Sequence, residues 1–226
     1  MPKERTTVSV LHIKNKNYIN FQNSPESKFW DKGNNVLYGL CKKYPEHKKL
    51  DEVATKLWLI GRSYSAALER RPRPDKKESN DELYKKAAKR LVYSEIDKKI
   101  KRISNKVKLT EKDIIVICDA HGYLVDILHE LTGLYKISLA SKYLHFHKPI
   151  VPIYDSRASK GIIDIFRGEA AHKNLPGKFS NIKNSKTINK KYLDFATKIY
   201  CLQKQISDVA NQDCSVRDID KYLLHI

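Results

Sequence analysis

The sequence predicts a mainly α-helical protein. Two long stretches, residues 50 to 68 and 192 to 209, repeat apolar residues at the i, i+3, i+4, i+7 spacing that gives a helix one apolar face. A short β-branched run from Thr6 to Val10 is extended in character, but nothing after it alternates for long. Prolines interrupt the expected core at one place, residues 148 to 152. Long helical patterns with few breaks favour an all-α architecture.

Size and charge limit the class of protein. The chain has 226 residues, of which 41% are hydrophobic, enough for one compact domain or two small helical lobes that share a cleft. Its 44 Lys and Arg exceed its 26 Asp and Glu, and the formal net charge is +18. A charge of this size favours a polyanionic partner, with nucleic acid first. The alternative is a Lys-rich surface that only keeps the protein soluble.

Cysteine spacing and hydropathy argue against several other classes. The four cysteines contain no CxxC pair, so we expect buried thiols, no metal cluster and no cofactor. They are Cys41, Cys118, Cys201 and Cys214. No apolar run reaches the ~18 residues of a membrane helix, and residues 1 to 5 do not resemble the start of a signal peptide. We therefore expect a cytoplasmic monomer without a membrane partner, folded as a single unit over residues 1 to 226.

The first half of the chain predicts an N-terminal arm followed by three helices. Residues 1 to 23 form the arm, and Pro25 at a first helical position begins a helix that ends near Pro45. The second helix covers residues 50 to 68. It ends at a basic loop, residues 70 to 75, which is either a solvated linker or a phosphate contact. A long Lys-rich helix is expected over residues 81 to 105.

The second half predicts more helices on both sides of the prolines. Thr110 and Asp113 have the spacing of a capping box, so a helix is expected through residues 114 to 118, with a strand as the alternative. Apolar residues then favour a helix up to Leu131 and another after Ser138. Residues 172 to 188 are predicted to form a basic loop. One helix covers residues 192 to 209, and a last short one runs from Ser215 to Leu224.

A tight turn at Gly133 separates the helix that ends at Leu131 from the helix that follows Ser138. Backbone amides freed at such a turn, and at the following helix N-terminus, bind phosphate without any side-chain charge. Lys136 and Lys142 would reinforce that contact. The segment is therefore a candidate grip on a nucleic-acid backbone.

The proline-rich loop at residues 148 to 152 leads to Asp155, which opens another helix. By itself an Asp at this point is an ordinary helix N-cap. A hairpin that grips a backbone, a proline-rich loop and then an Asp at a helix start together resemble the helix-hairpin-helix superfamily of base-excision DNA glycosylases. The resemblance covers residues 120 to 168, and more loosely residues 50 to 68. It implies a two-lobed helical DNA glycosylase-like fold, with Asp155 as the catalytic carboxylate.

The hairpin matches the motif of that superfamily in part. The motif usually reads Leu-Pro-Gly-Val-Gly; here Leu131, Gly133 and Leu134 fit, while Thr132 and Tyr135 depart from it. The resemblance implies that the turn contacts DNA through Gly133 and Tyr135.

Members that also cut the DNA strand carry a nucleophilic Lys about eighteen residues before the Asp. Aligning on Ala140 and Ser141 places Ser138 there, 17 residues before Asp155, so the resemblance implies a monofunctional enzyme. Lys136 lies 19 residues before Asp155 and stays an alternative catalytic residue.

The resemblance also implies contacts with duplex DNA from which one base is flipped out. Expected DNA contacts are Gly133, Tyr135, Lys136, Lys142, Arg157 and Lys160, with Arg62, Ser63 and Tyr64 as a wedge that fills the vacated position. The alternatives are solvated charge for Arg157 and Lys160, and a core role for Tyr64. Base-pocket candidates are Trp30, Trp58, Tyr143, Phe146, His145 and His147, which would otherwise be core or surface residues. Because His145 and His147 face different sides of a helix, no metal site is expected.

Together these features predict a DNA glycosylase that hydrolyses the N-glycosidic bond of a modified or damaged base. The helix dipole favours the ionised form of Asp155, which would stabilise an oxocarbenium-like sugar and orient water. The expected role is DNA repair or defence against modified phage DNA. The alternatives are a non-catalytic helix-hairpin-helix DNA-binding protein and an RNA-binding protein of a different helical fold.

Overall fold

The computed structural model describes residues 25–70, 79–166, 188–210 and 213–224, and these residues form nine helices and no strand. The helices are α1 (Pro25–Lys43), α2 (Leu50–Ser63), α3 (Asn80–Val92), α4 (Ile96–Arg102), α5 (Glu111–Thr132), α6 (Ile137–His147), α7 (Ser156–Ile165), α8 (Lys190–Ala210) and α9 (Val216–Leu223). The prediction of a mainly α-helical protein is confirmed. The predicted N-terminal arm and most of both predicted basic loops lie outside the described residues.

α2 packs an apolar stripe into the core and ends earlier than its pattern predicts. The helix ends at Ser63 because the chain turns there. Ser65 adopts a left-handed φ of 53°, and the amide of Ala66 donates to the carbonyl of Gly61 (2.8 Å). Leu68 is still fully buried, so the apolar pattern continues through the turn although the helix does not. The fully buried apolar side chains of α2 itself are those of Val53, Leu57 and Ile60.

The single Lys-rich helix predicted over residues 81 to 105 is wrong, because the structure has two helices there, α3 and α4. The hydroxyl of Ser94 donates to the carbonyl of Leu91 (2.7 Å) and accepts from the amide of Ile96 (3.2 Å). A serine side chain that takes over backbone hydrogen bonds in this way competes with the helix. The helix is therefore interrupted after Val92, and a new helix begins at Ile96.

α5 begins at the predicted capping box and is the longest described helix. The Thr110 hydroxyl accepts from the amide of Asp113 (3.3 Å), and the Asp113 carboxylate accepts from the amide of Thr110 (3.0 Å). The strand alternative for residues 114 to 118 is therefore wrong. The helix ends at Gly133, whose φ of 70° lies in the left-handed region that favours glycine. The turn of residues 133 to 136 then leads into α6, so the predicted turn at Gly133 is present.

α6 lies at the centre of the fold. Every side chain from Leu139 to Phe146 is buried, and the helix packs against α1, α2 and α5. α7, α8 and α9 pack against one another, and α8 also packs against α5. The segment predicted to carry the chemistry therefore passes through the core, between an exposed turn and the proline loop.

None of the described helices is long and apolar enough to cross a bilayer. The four cysteines form no disulfide with one another. The prediction of buried thiols is confirmed for three of them, while the fourth, Cys201, is half-buried.

Candidate functional site

The turn between α5 and α6 presents its backbone to solvent. Gly133, Leu134 and Tyr135 are exposed, and the ring of Tyr135 stacks on that of His129 with centroids 4.1 Å apart. Thr132 supports the turn because its hydroxyl oxygen accepts a hydrogen bond from the Leu134 amide (3.2 Å). α6 begins without a side-chain cap on its first amides. The turn therefore has the exposed backbone that a phosphate contact requires.

Lys136 anchors this hairpin to the segment that follows α2. Its ammonium group donates to the carbonyl oxygens of Ala67 (3.2 Å) and Arg70. The ammonium group that lies next to Asp155 is instead that of Lys142. The geometry thus gives Lys136 a structural task at the hairpin.

Three buried side chains hold the proline loop in place. Residues 150 to 154 are themselves buried, so the loop is part of the core rather than a surface strap. Two of the three side chains come from α6 and one from α8, and together they fix the backbone that enters α7. The contacts are His145 Nδ1 to the Val151 carbonyl (2.7 Å), the Tyr192 hydroxyl to the Pro152 carbonyl (2.8 Å) and the Tyr154 amide to Ser141 Oγ (2.9 Å).

Asp155 caps α7, as the sequence predicts. Its Oδ1 accepts from the amide of Ala158 (2.8 Å), and its side chain is 22% exposed. Its Oδ2 lies 3.8 Å from Nζ of Lys142. One carboxylate oxygen is therefore fixed by the helix start, while the other faces a cation, in a side chain that is partly exposed.

Lys142 is a buried cation of this site, not the surface phosphate contact that was expected. It is 3% exposed, and its Nζ donates to Ser138 Oγ (3.0 Å) and to the Tyr64 carbonyl (3.2 Å). The Oδ2 of Asp155 is an ion-pair partner of the same ammonium group at 3.8 Å. Burial lowers the pKa of Lys142, and the negative charges of Asp155 and Asp220 oppose that effect.

α9 contributes two charged residues that sequence reasoning missed. Asp220 is buried and forms an ion pair with Arg217. Burial raises the pKa of Asp220 to about 6; Arg217 opposes this shift, and the charge of Asp155 adds to it. Asp220 is therefore close enough to Asp155 to interact with it electrostatically. In the sequence only a capping box marks α9, and a capping box carries no information about a site elsewhere in the chain.

Aromatic side chains border the Lys142 ammonium. The ring centroid of Tyr64 lies 5.4 Å from Lys142 Nζ, and the ring meets Phe146 edge-on at a centroid distance of 5.4 Å. Tyr38 packs on Phe146 at 4.9 Å, and its hydroxyl donates to Nε2 of His145 (2.5 Å). The hydroxyl is the donor because the proton of His145 is on Nδ1, which donates to the proline loop. Three predicted residues, Tyr64, Phe146 and His145, thus lie together, and Tyr38 joins them without a sequence signal.

Tyr143 and His147, two further pocket candidates, lie in a different buried cluster. His47 is its centre: Nδ1 bonds to Asp97 (2.6 Å), Nε2 accepts from the Tyr143 hydroxyl (2.7 Å), and the His147 ring lies 5.3 Å away. The spacing of α6 explains the separation. Positions 138, 142 and 146 share one face of a helix, while positions 143 and 147 share another.

Trp58 is a surface residue and lines no buried pocket. It is 43% exposed, and the guanidinium group of Arg62 lies 5.3 Å from its ring centroid. Arg62 is also held by Glu69 at 2.9 Å. Three other candidates are exposed on α2 and α7, namely Ser63, Arg157 and Lys160. The side chain of Trp30 lies outside the described residues.

The part of the chain that the structure describes contains no group of three or more His, Cys, Asp or Glu side chains placed to hold a metal ion. Comparison with known proteins gave no match to a protein-family model, to a curated protein or to a solved structure. The function is therefore inferred from the geometry around Asp155.

Proposed function

We propose that this chain is a two-lobed, helix-hairpin-helix type DNA glycosylase that hydrolyses the N-glycosidic bond of a modified or damaged base. The observation that carries the proposal is the partly exposed carboxylate of Asp155, 3.8 Å from the buried ammonium of Lys142. An exposed backbone turn precedes both residues on one continuous segment of chain. Base excision needs a fixed anion in a protein that also contacts the DNA backbone, and the exposed turn is the candidate for that contact.

Asp155 supplies the negative charge for the reaction. Breaking the N-glycosidic bond builds positive charge on the sugar, so a fixed carboxylate stabilises the oxocarbenium-like transition state. The amide of Ala158 holds Oδ1, and Oδ2 faces the cation of Lys142. Because Oδ2 is not used by the helix cap, it is the atom that orients the attacking water.

Lys142 is a positioning residue in this mechanism. Its ammonium group donates to Ser138 and to the carbonyl of Tyr64 and pairs with Asp155, which is the arrangement expected of a protonated amine. An amine held in this form is not a nucleophile, so the proposed nucleophile is water and the proposed enzyme is monofunctional. The hydroxyl of Ser138 accepts a hydrogen bond from this ammonium group. In strand-cleaving members of the superfamily that this segment resembles, a Lys would stand at the place of Ser138.

The DNA is proposed to bind across the exposed hairpin and the start of α7. The exposed turn around Tyr135 suits a phosphate contact, and Arg157 is exposed two residues after Asp155. The net charge of +18 draws the duplex toward the protein. Arg62 and Ser63, at the end of α2, are the wedge candidates that are exposed.

The proposal is tested by base release from a panel of duplexes, each with one modified base, with mass detection of the freed base. We expect release from at least one duplex. Asp155→Asn is expected to slow it about 10³-fold while duplex affinity stays within about threefold. Asp164→Asn, an exposed Asp on the same helix, is the matched control. If no duplex loses a base, the proposal is wrong, and retained DNA affinity would then favour the non-catalytic DNA-binding protein.

A further inference from the structure

Three buried polar atoms on α1 and α9 have no hydrogen-bond partner among the residues that the structure describes. They are Asn34 Nδ2, Arg217 Nε and Asp220 Oδ1. Asn34 and Asp220 are 6% and 4% exposed. Buried polar atoms in folded proteins are almost always paired. Three unpaired atoms therefore point to a polar ligand.

The three residues belong to one cluster with Tyr64. The Tyr64 hydroxyl donates to Oδ1 of Asn34, and Arg217 pairs through Nη1 with Oδ2 of Asp220. Burial raises the pKa of Tyr64, and the neighbouring charge of Arg217 is the strongest opposing influence. Each of the three residues thus uses one polar atom to fix its orientation and leaves another unpaired.

This cluster adjoins the candidate catalytic residues. The carbonyl of Tyr64 binds the Lys142 ammonium, and the charges of Asp155 and Lys142 both act on Asp220. Asp31, whose side chain is 40% exposed and whose charge acts on Arg217, marks the solvent side of the cluster. A group bound to the unpaired atoms would therefore lie near Tyr64 and Lys142, and Lys142 in turn faces Asp155.

We infer that Asn34, Arg217 and Asp220 read the flipped-out base and that they select a pyrimidine. The inference rests on the proposed action on a flipped-out base and names its substrate class. Two unpaired donors and one unpaired acceptor complement a base edge that has two acceptors and one donor. The donors and acceptors of the cluster therefore match a base edge in number, and the cluster lies near the candidate catalytic residues.

Pyrimidine edges have this composition. A uracil-type or thymine-type base offers two carbonyl oxygens and one ring N–H, and a cytosine-type base offers one carbonyl oxygen, one ring nitrogen and one amine. A guanine-type edge has two donors and one acceptor, which leaves one donor of the cluster unpaired. An adenine-type edge has only one donor and one acceptor. A site with buried hydrogen-bonding groups discriminates strongly against a ligand that leaves one of them unpaired.

Buried and partly buried aromatic rings lie beside the same polar atoms. Tyr38 and Tyr64 both pack on Phe146, with ring centroids 4.9 Å and 5.4 Å apart. Enzymes that extrude a base stack it on aromatic or apolar side chains while they read its edge. The cluster therefore combines both parts of a flipped-base site.

The test measures recognition separately from catalysis. Duplexes carry one 2′-fluorinated pyrimidine or purine lesion, because fluorine at that carbon keeps the base attached, and a third duplex carries an abasic analogue. Wild type is expected to bind the pyrimidine duplex at least about tenfold more tightly than the purine duplex. Asp220→Asn and Asn34→Asp are each expected to remove that preference and to leave affinity for the abasic duplex within about threefold.

The two variants protect the test against misfolding. Asn34→Asp keeps an oxygen that accepts from Tyr64 and replaces the unpaired donor with a charged carboxylate oxygen, while Asp164→Asn serves again as the control. Equal binding of both lesion classes by wild type, or an unchanged preference in both variants, would overturn the inference and assign the unpaired atoms to buried water. A pyrimidine preference without release from any unfluorinated duplex would support the recognition site and refute the proposed catalysis.

Discussion

The ammonium nitrogen of Lys142 lies 3.8 Å from Oδ2 of Asp155 and 3.0 Å from Oγ of Ser138. One helical turn separates Ser138 from Lys142, and helical side chains tilt toward the N-terminus, so the amine ends level with residue 138. Sequence spacing favours Ser138 at this position and leaves Lys136 as the alternative amine. The fold instead brings the amine of Lys142, one turn further along α6, next to Asp155. Whether water or this amine is the nucleophile can therefore be tested directly.

Lys142→Gln is expected to slow base release about 10²-fold, because Asp155 loses the cation that faces its Oδ2. Single-turnover kinetics measure the rate. Borohydride reduces an imine between an enzyme amine and the opened sugar, and wild type is expected to form no such adduct. An adduct that Lys136→Gln keeps and Lys142→Gln loses would contradict the hydrolytic mechanism and identify Lys142 as the nucleophile.

Ser141→Ala is expected to disturb Asp155 from a distance. It leaves the buried amide of Tyr154, the residue before Asp155, without an acceptor. We expect a loss of about 1 to 2 kcal/mol in the free energy of unfolding and a roughly tenfold slower base release. Urea unfolding and single-turnover rates measure both, with Tyr192→Phe as a parallel change at Pro152. Lower stability with an unchanged rate in the folded fraction would remove the positioning role.

Asp220 is expected to make stability depend on pH. Burial raises its pKa from 3.8 to about 6 in the folded protein, against the opposing effect of Arg217. Because the folded pKa is the higher one, its contribution is full below about pH 3.8 and is lost as the pH rises through about 6. Over that range wild type should lose about 3 kcal/mol of stability relative to Asp220→Asn. Urea unfolding at several pH values measures this difference, and a constant difference would contradict the shift.

Asp97 and His47 are expected to affect stability without affecting the candidate site. Burial acts to raise the pKa of Asp97, but hydrogen bonds from His47 outweigh it and lower the pKa to about 2. Because the folded pKa is the lower one, the contribution is full above about pH 3.8 and is lost as the pH falls through about 2. Asp97→Asn should therefore destabilise the protein by about 2 kcal/mol at neutral pH, and by progressively less in acid.

The control for that prediction is the rate of base release by the folded fraction. It should equal that of wild type, because the His47 cluster includes Tyr143 and His147 but not the side chains around Lys142. A slower rate at full folding would show that the two buried clusters are coupled.

Local features of the sequence predict the helices well, because periodicity and caps act over a few residues. The capping boxes at Thr110 and Ser215 both form, and Gly133 ends α5 in the left-handed conformation. At residues 64 to 68 and 93 to 95 the sequence predicts helix where the structure has turns. These turns interrupt the helix but leave the spacing of the apolar residues unchanged. In the second case Ser94 takes over backbone hydrogen bonds, a competition that periodicity does not register.

The candidate site is predictable only where it is local. Asp155 follows from its place at a helix start after the proline loop, and both are contiguous in the sequence. Lys142 is buried because α6 packs against three other helices, and that depends on the whole fold. Asn34 and Asp220 come from opposite ends of the chain, and tertiary packing alone makes them neighbours of Tyr64. No local pattern connects residues so far apart.

Arg157 and Lys160 are expected to contact phosphate at the start of α7. Replacing both with Gln should weaken duplex affinity about tenfold or more and lower the slope of log affinity against log salt by about 2, since each phosphate contact releases roughly one counterion. The rate of base release at saturating enzyme should not change, because phosphate contacts position the duplex without touching the reacting bond. Lys98→Gln is the matched control, since that side chain is 76% exposed and lies on α4. An equal salt slope in wild type and the double variant would show that these two cations are only solvated surface charge.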